Sequence, residues 1–192
     1  MDGYGATFFD TPLGQCGLAW SPRGVKALQL PEETPEATRA RLMRKSGAPF
    51  VRRPPDEIAE IVARVGKLLA GRAIDLSDIT LDMDRVGAFE AQVYAAARFI
   101  PCGQTRTYGE IARAIGEPGA ARGVGQALGR NPFAIIVPCH RVVAANGKTG
   151  GFSAPGGVDT KMKLLSIERR HGDHPPTLFD DDEAFRFAAK KG

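Results

Sequence analysis

Three short, largely apolar runs stand near the start of the chain, residues 6–10, 15–20 and 25–30, separated by Pro12-Leu13-Gly14 and Ser21-Pro22-Arg23-Gly24. Short strand-like runs punctuated by turn-forming residues predict three strands, and so short a spacing predicts a meander. Helical periodicity follows. Residues 34–46 and 55–69 follow helical spacing, the second placing Ile58, Ile61, Val62, Val65, Leu68 and Leu69 on one face that must pack on the sheet. Gly71-Arg72-Ala73-Ile74-Asp75-Leu76 breaks this helix, and the stretch to Asp84 is expected as a connector, with a domain boundary near Arg85.

Beyond it the pattern is mainly helical. Residues 86–99 bring Phe89, Val93, Ala96 and Ala97 to one face and end at Ile100-Pro101-Cys102-Gly103. Thr107, with Glu110 three residues on, has the spacing of a capping box that opens a short helix over 108–115. Gly116-Glu117-Pro118 stops that helix, and Pro118 and Gly129 frame another over 119–130. Two short helices around a tight turn predict a helix-turn-helix. The second carries Gly119, Ala120, Ala121, Gly123, Gly125, Ala127 and Gly129. Each Gly inside a helix costs about 1 kcal/mol against Ala, so the cluster implies that another backbone comes close. Packing within the protein and contact with a nucleic acid both meet that requirement; in the second case Arg122 is the one long side chain in the first half of the helix.

With 192 residues, 43% of them hydrophobic, the chain can bury one domain of ordinary size or two small ones sharing an interface. No run nears the roughly 20 apolar residues of a membrane span, and Met1-Asp2-Gly3-Tyr4-Gly5 lacks the basic and apolar segments of a secretory signal, so a cytoplasmic location is expected. Cys16, Cys102 and Cys139 are far apart and form no CxxC pair, so free thiols and no metal site are expected. The net charge is +4, and residues 98–170 hold 11 Lys/Arg against 4 Asp/Glu, flanked by 12 against 13 before and 3 against 5 after. Such a block suits a polyanionic partner, and it suits a solvated surface as well.

The run Phe133-Ala134-Ile135-Ile136-Val137 delivers Pro138-Cys139-His140 toward the interior. A thiol and an imidazole there can form an activated nucleophile, although a buried Cys also serves simply as a small hydrophobe. Neighbours in an extended segment point to opposite sides. His140 therefore reaches the Cys139 sulfur only through a sharp turn, which Pro138 favours, or through a bridging water.

Pro138-Cys139-His140-Arg141-Val142 resembles the signature of the O6-alkylguanine-DNA alkyltransferases, the methylated-DNA–protein-cysteine S-methyltransferases. Thr105-Arg106-Thr107-Tyr108-Gly109-Glu110-Ile111-Ala112, Ala120-Ala121-Arg122, Asn131-Pro132 and Gly150-Gly151-Phe152-Ser153 match in the family's order, over about residues 86–168. Before Asp84 the likeness is limited to Thr11-Pro12-Leu13-Gly14. The resemblance implies an α+β fold: a small N-terminal α/β domain of ribonuclease H-like form over 1–84, a mainly helical catalytic domain with the helix-turn-helix over 85–171, and an acidic tail over 172–192 whose one expected role is a short capping helix.

It also implies direct-reversal DNA repair. Cys139 accepts the alkyl group of O6-alkylguanine in double-stranded DNA, His140 draws off the thiol proton through a water, and Glu168 orients the imidazole, as base and orienter do in a triad. Without the resemblance Glu168 reads as a surface residue. An alkyl group on O6 lies against the pairing edge, so the nucleotide must leave the stack. Tyr108 is expected to turn the 3′ phosphate and bond the flipped base, and Arg122 to fill the gap, with Ala121 beside it on a helix in the minor groove. Asn131 is expected as the hinge between this helix and the active-site segment. The backbone of Cys139 and Val142 and the amide of Ser153 are expected at the base edges, with Phe152 in the pocket wall. A thioether is not reversed by ordinary reductants, so each molecule acts once, with no cofactor or metal, as a monomer when free. Activity on O4-alkylthymine and cooperative binding along DNA are left open.

Family members commonly carry Tyr where this chain has Phe152, and residues 153–160 read as a longer loop than in some relatives; both bear on the range of alkyl groups accepted. Some relatives hold zinc in the first domain, but here Cys16 stands there without a His. Three other readings stand beside the transferase: a lesion binder, against which Cys139 argues; a helix-turn-helix regulator that binds sequence-specifically without thiol modification; and a cysteine hydrolase, which turns over repeatedly.

Overall fold

The computed structural model describes residues 3–145 and 148–169. Strands β1 (Gly5–Thr11), β2 (Gly14–Ser21) and β3 (Gly24–Gln29) form an antiparallel sheet in the order β1-β2-β3. Its turns pair Thr11 with Gly14 and Ser21 with Gly24, close to the expected boundaries. Gly24 has φ +135° and a Cβ there would stand 2.5 Å from the carbonyl oxygen of Thr80, so both conformation and space call for glycine. Helix α1 (Pro35–Ser46) starts at Thr34, whose side chain accepts from the Ala37 amide. Helix α2 (Asp56–Leu69) buries Ile58, Ile61, Val65, Leu68 and Leu69, the face expected from its spacing.

The stretch before Asp84 does more than connect. The Val25 amide donates to Thr80 O at 2.9 Å and Asp82 N donates to Val25 O at 2.8 Å, which bridges Leu81 to the edge of β3. Further along the same strand Leu28 N donates to Pro132 O at 2.9 Å, bridging Phe133. Unpaired strand groups need partners, and two segments from later in the chain supply them.

Helix α3 (Ala88–Arg98) follows, then β4 (Arg106–Thr107), α4 (Tyr108–Ala114) and α5 (Ala121–Gly129). Thr107 and Glu110 form the expected capping box at the start of α4. The helix expected over 119–130 begins later, at Ala121, because Pro118 and Gly119 are spent in a turn closed by Ala120 N donating to Glu117 O at 2.8 Å. A 3₁₀ turn (Cys139–Arg141) leads into β5 (Val142–Val143), which pairs in parallel with β4. Helix α6 (Gly157–Arg169) takes up the end of what was expected as a long loop over 153–160. The larger apolar core runs from Cys16, Leu18 and Trp20 of the sheet through Leu68, Val93, Val124 and Phe133 to Leu164, and a smaller one holds Ala6, Ala19, Ala27, Leu42 and Ala48. Among the described residues no helix is long and apolar enough to cross a membrane. The acidic tail expected over 172–192 lies outside the described residues.

Candidate active site

The segment that carries Cys139 is not extended. It is folded by short-range hydrogen bonds, Ile136 N to Ala134 O, Val137 N to Phe133 O and Cys139 N to Val137 O, each 2.8 Å. Ile135 takes φ +69°, a conformation that costs a β-branched residue about 1–3 kcal/mol and is held here by burial of its side chain. Asn131 pins the start of the segment: its Nδ2 donates to Val137 O at 2.9 Å and its Oδ1 accepts from Phe133 N at 2.9 Å. The same side chain lies beside the Cys139 sulfur and favours its thiolate form. The 3₁₀ turn over Cys139–Arg141 then sends His140 and Arg141 into the core behind the thiol.

There His140 is fully buried, and its Nε2 meets Glu168 Oε1 at 2.8 Å. Arg141 grips the same carboxylate, with Nε 2.9 and 3.2 Å from its two oxygens and Nη2 2.8 Å from Oε1. The Gly103 amide adds a bond to Oε2 at 3.2 Å. Burial works to raise the Glu168 carboxyl, but His140 and Arg141 outweigh it and hold the group well below the usual carboxylate range. On the other side of the imidazole, Nδ1 is buried and has no hydrogen-bond partner among the described residues. In the neutral tautomer whose Nε2 donates to the carboxylate, Nδ1 is the acceptor. Burial pushes the Cys139 thiol up; against it work the Asn131 side chain, the charge of Lys161 and the backbone N–H groups of Cys139 and His140.

Lys161 reaches in from α6, fully buried, and donates to Val142 O at 2.7 Å and Thr149 O at 2.5 Å. Burial pulls its ammonium down to about 8, and the neighbouring Cys139 partly restores it.

Cys139 opens on a cavity of about 570 Å³. Tyr108, Ala121, Arg122, Phe152 and Ser153, all expected at the site, line it with Cys139. Arg122 and Ser153 are exposed, and Tyr108 and Phe152 are half-buried. Tyr108 is held by Gly150, whose φ is +69° and whose Cβ would stand 2.8 Å from the ring. Asn131, Val142, His140 and Glu168 are not in the lining: His140 turns its imidazole to Glu168 and only its backbone N–H to the thiol, Asn131 lies beside the sulfur, and Val142 gives its carbonyl to Lys161. Sequence reasoning missed Arg141 and Lys161. Arg141 lay inside the signature itself, but nothing local showed that its partner is Glu168; Lys161 has two backbone carbonyls for partners, which leave no mark in a sequence.

Residues 88–170 match the family described as 6-O-methylguanine DNA methyltransferase, DNA binding domain. The chain is 42% identical over 171 residues to a methylated-DNA–protein-cysteine methyltransferase of Mycolicibacterium paratuberculosis, covering 89% of this chain and 96% of that one. Likeness therefore extends well into the first 84 residues, beyond the single turn motif found there. The solved O6-methylguanine methyltransferase of Mycobacterium tuberculosis is similar at 38% identity and a TM-score of 0.70, over 92% of this chain and 99% of that one. The OGT of the same organism in complex with DNA is similar at 37% identity and a TM-score of 0.68, over 86% and 92%. Shared sequence and fold over nearly the whole length make this chain a member of the methylated-DNA–protein-cysteine methyltransferase family.

Proposed function

We propose that this protein repairs alkylated DNA directly and once per molecule, moving the alkyl group from O6 of guanine in double-stranded DNA to the sulfur of Cys139. The observation that carries the reading is Cys139 in the wall of an open cavity with the buried His140–Glu168 pair behind it. Nδ1 of His140 accepts the thiol proton through a water between the two groups. The S–C bond forms as the C–O6 bond breaks, and the proton lost by the thiol balances the one guanine regains at N1. The product thioether resists ordinary reductants, so the protein is consumed stoichiometrically, and the step calls for no cofactor.

O6 is reached only when the nucleotide leaves the stack. Helix α4, the turn and α5 act as a helix-turn-helix in the minor groove, with Ala121 against the duplex and Arg122 in the gap. Tyr108 turns the 3′ phosphate and bonds the flipped base, Phe152 and Ser153 wall the pocket, and Asn131 links α5 to the nucleophile's segment. Support comes from the position of Arg122 and Tyr108 on one cavity with Cys139, and from a volume in the range of small-molecule pockets. The antiparallel order β1-β2-β3 followed by helices supports a ribonuclease H-like form for the first unit.

Intact mass after incubation with an oligonucleotide containing O6-methylguanine tests this. The expected result is a gain of roughly 14 Da, saturating at one per molecule and absent from Cys139→Ala. DNA binding without a mass gain would leave a lesion binder or a regulator, and repeated turnover a hydrolase.

A further inference from the structure

We propose that Arg141 is a positioning residue for the transfer, locking Glu168 and the loop carbonyl of Ile100 together so that the His140 ring is fixed behind Cys139 with Nδ1 left to accept the thiol proton. This rests on the reading of Cys139 and His140 just given. Arg141 lies on the 3₁₀ turn, Glu168 on α6 and Ile100 just beyond α3, so one guanidinium, through its bonds to Glu168 and a 2.6 Å bond from Nη1 to Ile100 O, joins three segments. Those bonds require a planar fork of fixed donors, which a lysine does not possess.

The charge matters as much as the shape. A buried carboxylate needs a compensating charge. Glu168 is 3% exposed, and facing an imidazole alone it would draw a proton onto the ring, closing Nδ1 as an acceptor. Arg141 supplies that positive charge, so the carboxylate does not depend on a proton carried by His140. The other titratable groups around this cluster do not duplicate it. Lys161 of α6 stands beside Cys139 and is bound to carbonyls. The Cys102 thiol, on the loop after α3, lies near Glu168 and is pushed up to about 11, largely by burial. Tyr94 of α3 and Tyr108 of α4 lie near the sulfur as neutral phenols.

Single-turnover methyl transfer from an O6-methylguanine duplex, followed between about pH 5.5 and 9 on the full chain, tests the proposal with Arg141→Met and Arg141→Lys, thermal melting confirming the fold. Arg141→Met is expected to be about a hundredfold slower at neutral pH, with the acid limb of its profile moved to higher pH. Arg141→Lys, with the charge but not the fork, is expected to keep the acid limb in place and recover part of the rate. A folded Arg141→Met that is equally slow at every pH, or as fast as wild type, overturns the proposal. If Arg141→Met does not fold, Arg141→Lys decides: a partial loss with the limb unmoved supports the role, and an unchanged rate overturns it. A wild type that transfers nothing removes the functional reading itself, whereas a normal wild type beside an unshifted Arg141→Met profile removes only the role of Arg141.

Discussion

Lys161 brings a positive charge into the interior and meets backbone carbonyls and the Cys139 sulfur there. With its ammonium pulled down to about 8, the folded value lies below that of an unfolded lysine. Between the two the unfolded chain binds more protons, so this residue's contribution to stability rises with pH from about 8 to 10.4. Cys16 and Cys102, both raised to about 11 chiefly by burial, act in the opposite sense, because the unfolded chain loses their protons first. The expected outcome therefore lies in a difference: urea midpoints of wild type should gain on those of Lys161→Met as pH rises through that window, and parallel curves would show that the ammonium is not desolvated. At this scale the sequence was an uneven guide. Cys139 and His140 stood in a recognisable signature, and Glu168 could be assigned only by resemblance. Arg141 and Lys161 went unread because their partners are 27 residues away or are backbone atoms.

Helix α5 answers glycine by glycine the question that its composition raised. Gly123 packs inward, where a Cβ would stand 3.3 Å from the Phe89 ring, and Gly125 faces the Tyr108 ring at 3.8 Å. Gly129 has nothing within 4 Å of its Cβ position and lies on the cavity lining. Internal packing thus accounts for the first of these, while the last leaves space for an approaching duplex. Gly129→Ala is expected to stabilise the fold by about 0.5–1 kcal/mol in thermal unfolding, while weakening duplex binding in a fluorescence titration; unchanged binding would place the duplex elsewhere. The helices themselves were legible, since caps and apolar spacing are local. Their starts were less so: Pro118 and Gly119 read equally as the first turn of α5 or as the turn before it, and the latter prevails.

Across the whole molecule, the sheet and the segment that carries Cys139 are built together. The edge of β3 is completed by Leu81 from the stretch expected as a connector and by Phe133 from the stretch between Asn131 and Cys139, so the sheet braces the backbone that leads to Cys139. The cavity faces outward, with Arg122 exposed on its rim. If Arg122 fills the gap left by a flipped nucleotide, Arg122→Ala should slow repair of an O6-methylguanine duplex at least tenfold while sparing any alkylation of Cys139 by a free O6-alkylguanine base. Equal losses with both substrates, measured by intact mass, would assign Arg122 to the pocket instead.

Sequence alone determined the first three strands and the longer helices, and set Cys139 beside His140. Apolar runs between turns, helical spacing and capping residues are set by neighbours a few positions apart, and Cys139-His140 lies in one contiguous motif. Tertiary structure decided what makes that pair a site: the tight turns through Ile135, the carboxylate shared by His140 and Arg141, the buried ammonium of Lys161 and the second use of the connector as a strand edge. The reason is the same in each case. A buried polar group or a bent backbone must be satisfied by whatever donor or acceptor the fold brings beside it, and that partner can come from any distance along the chain.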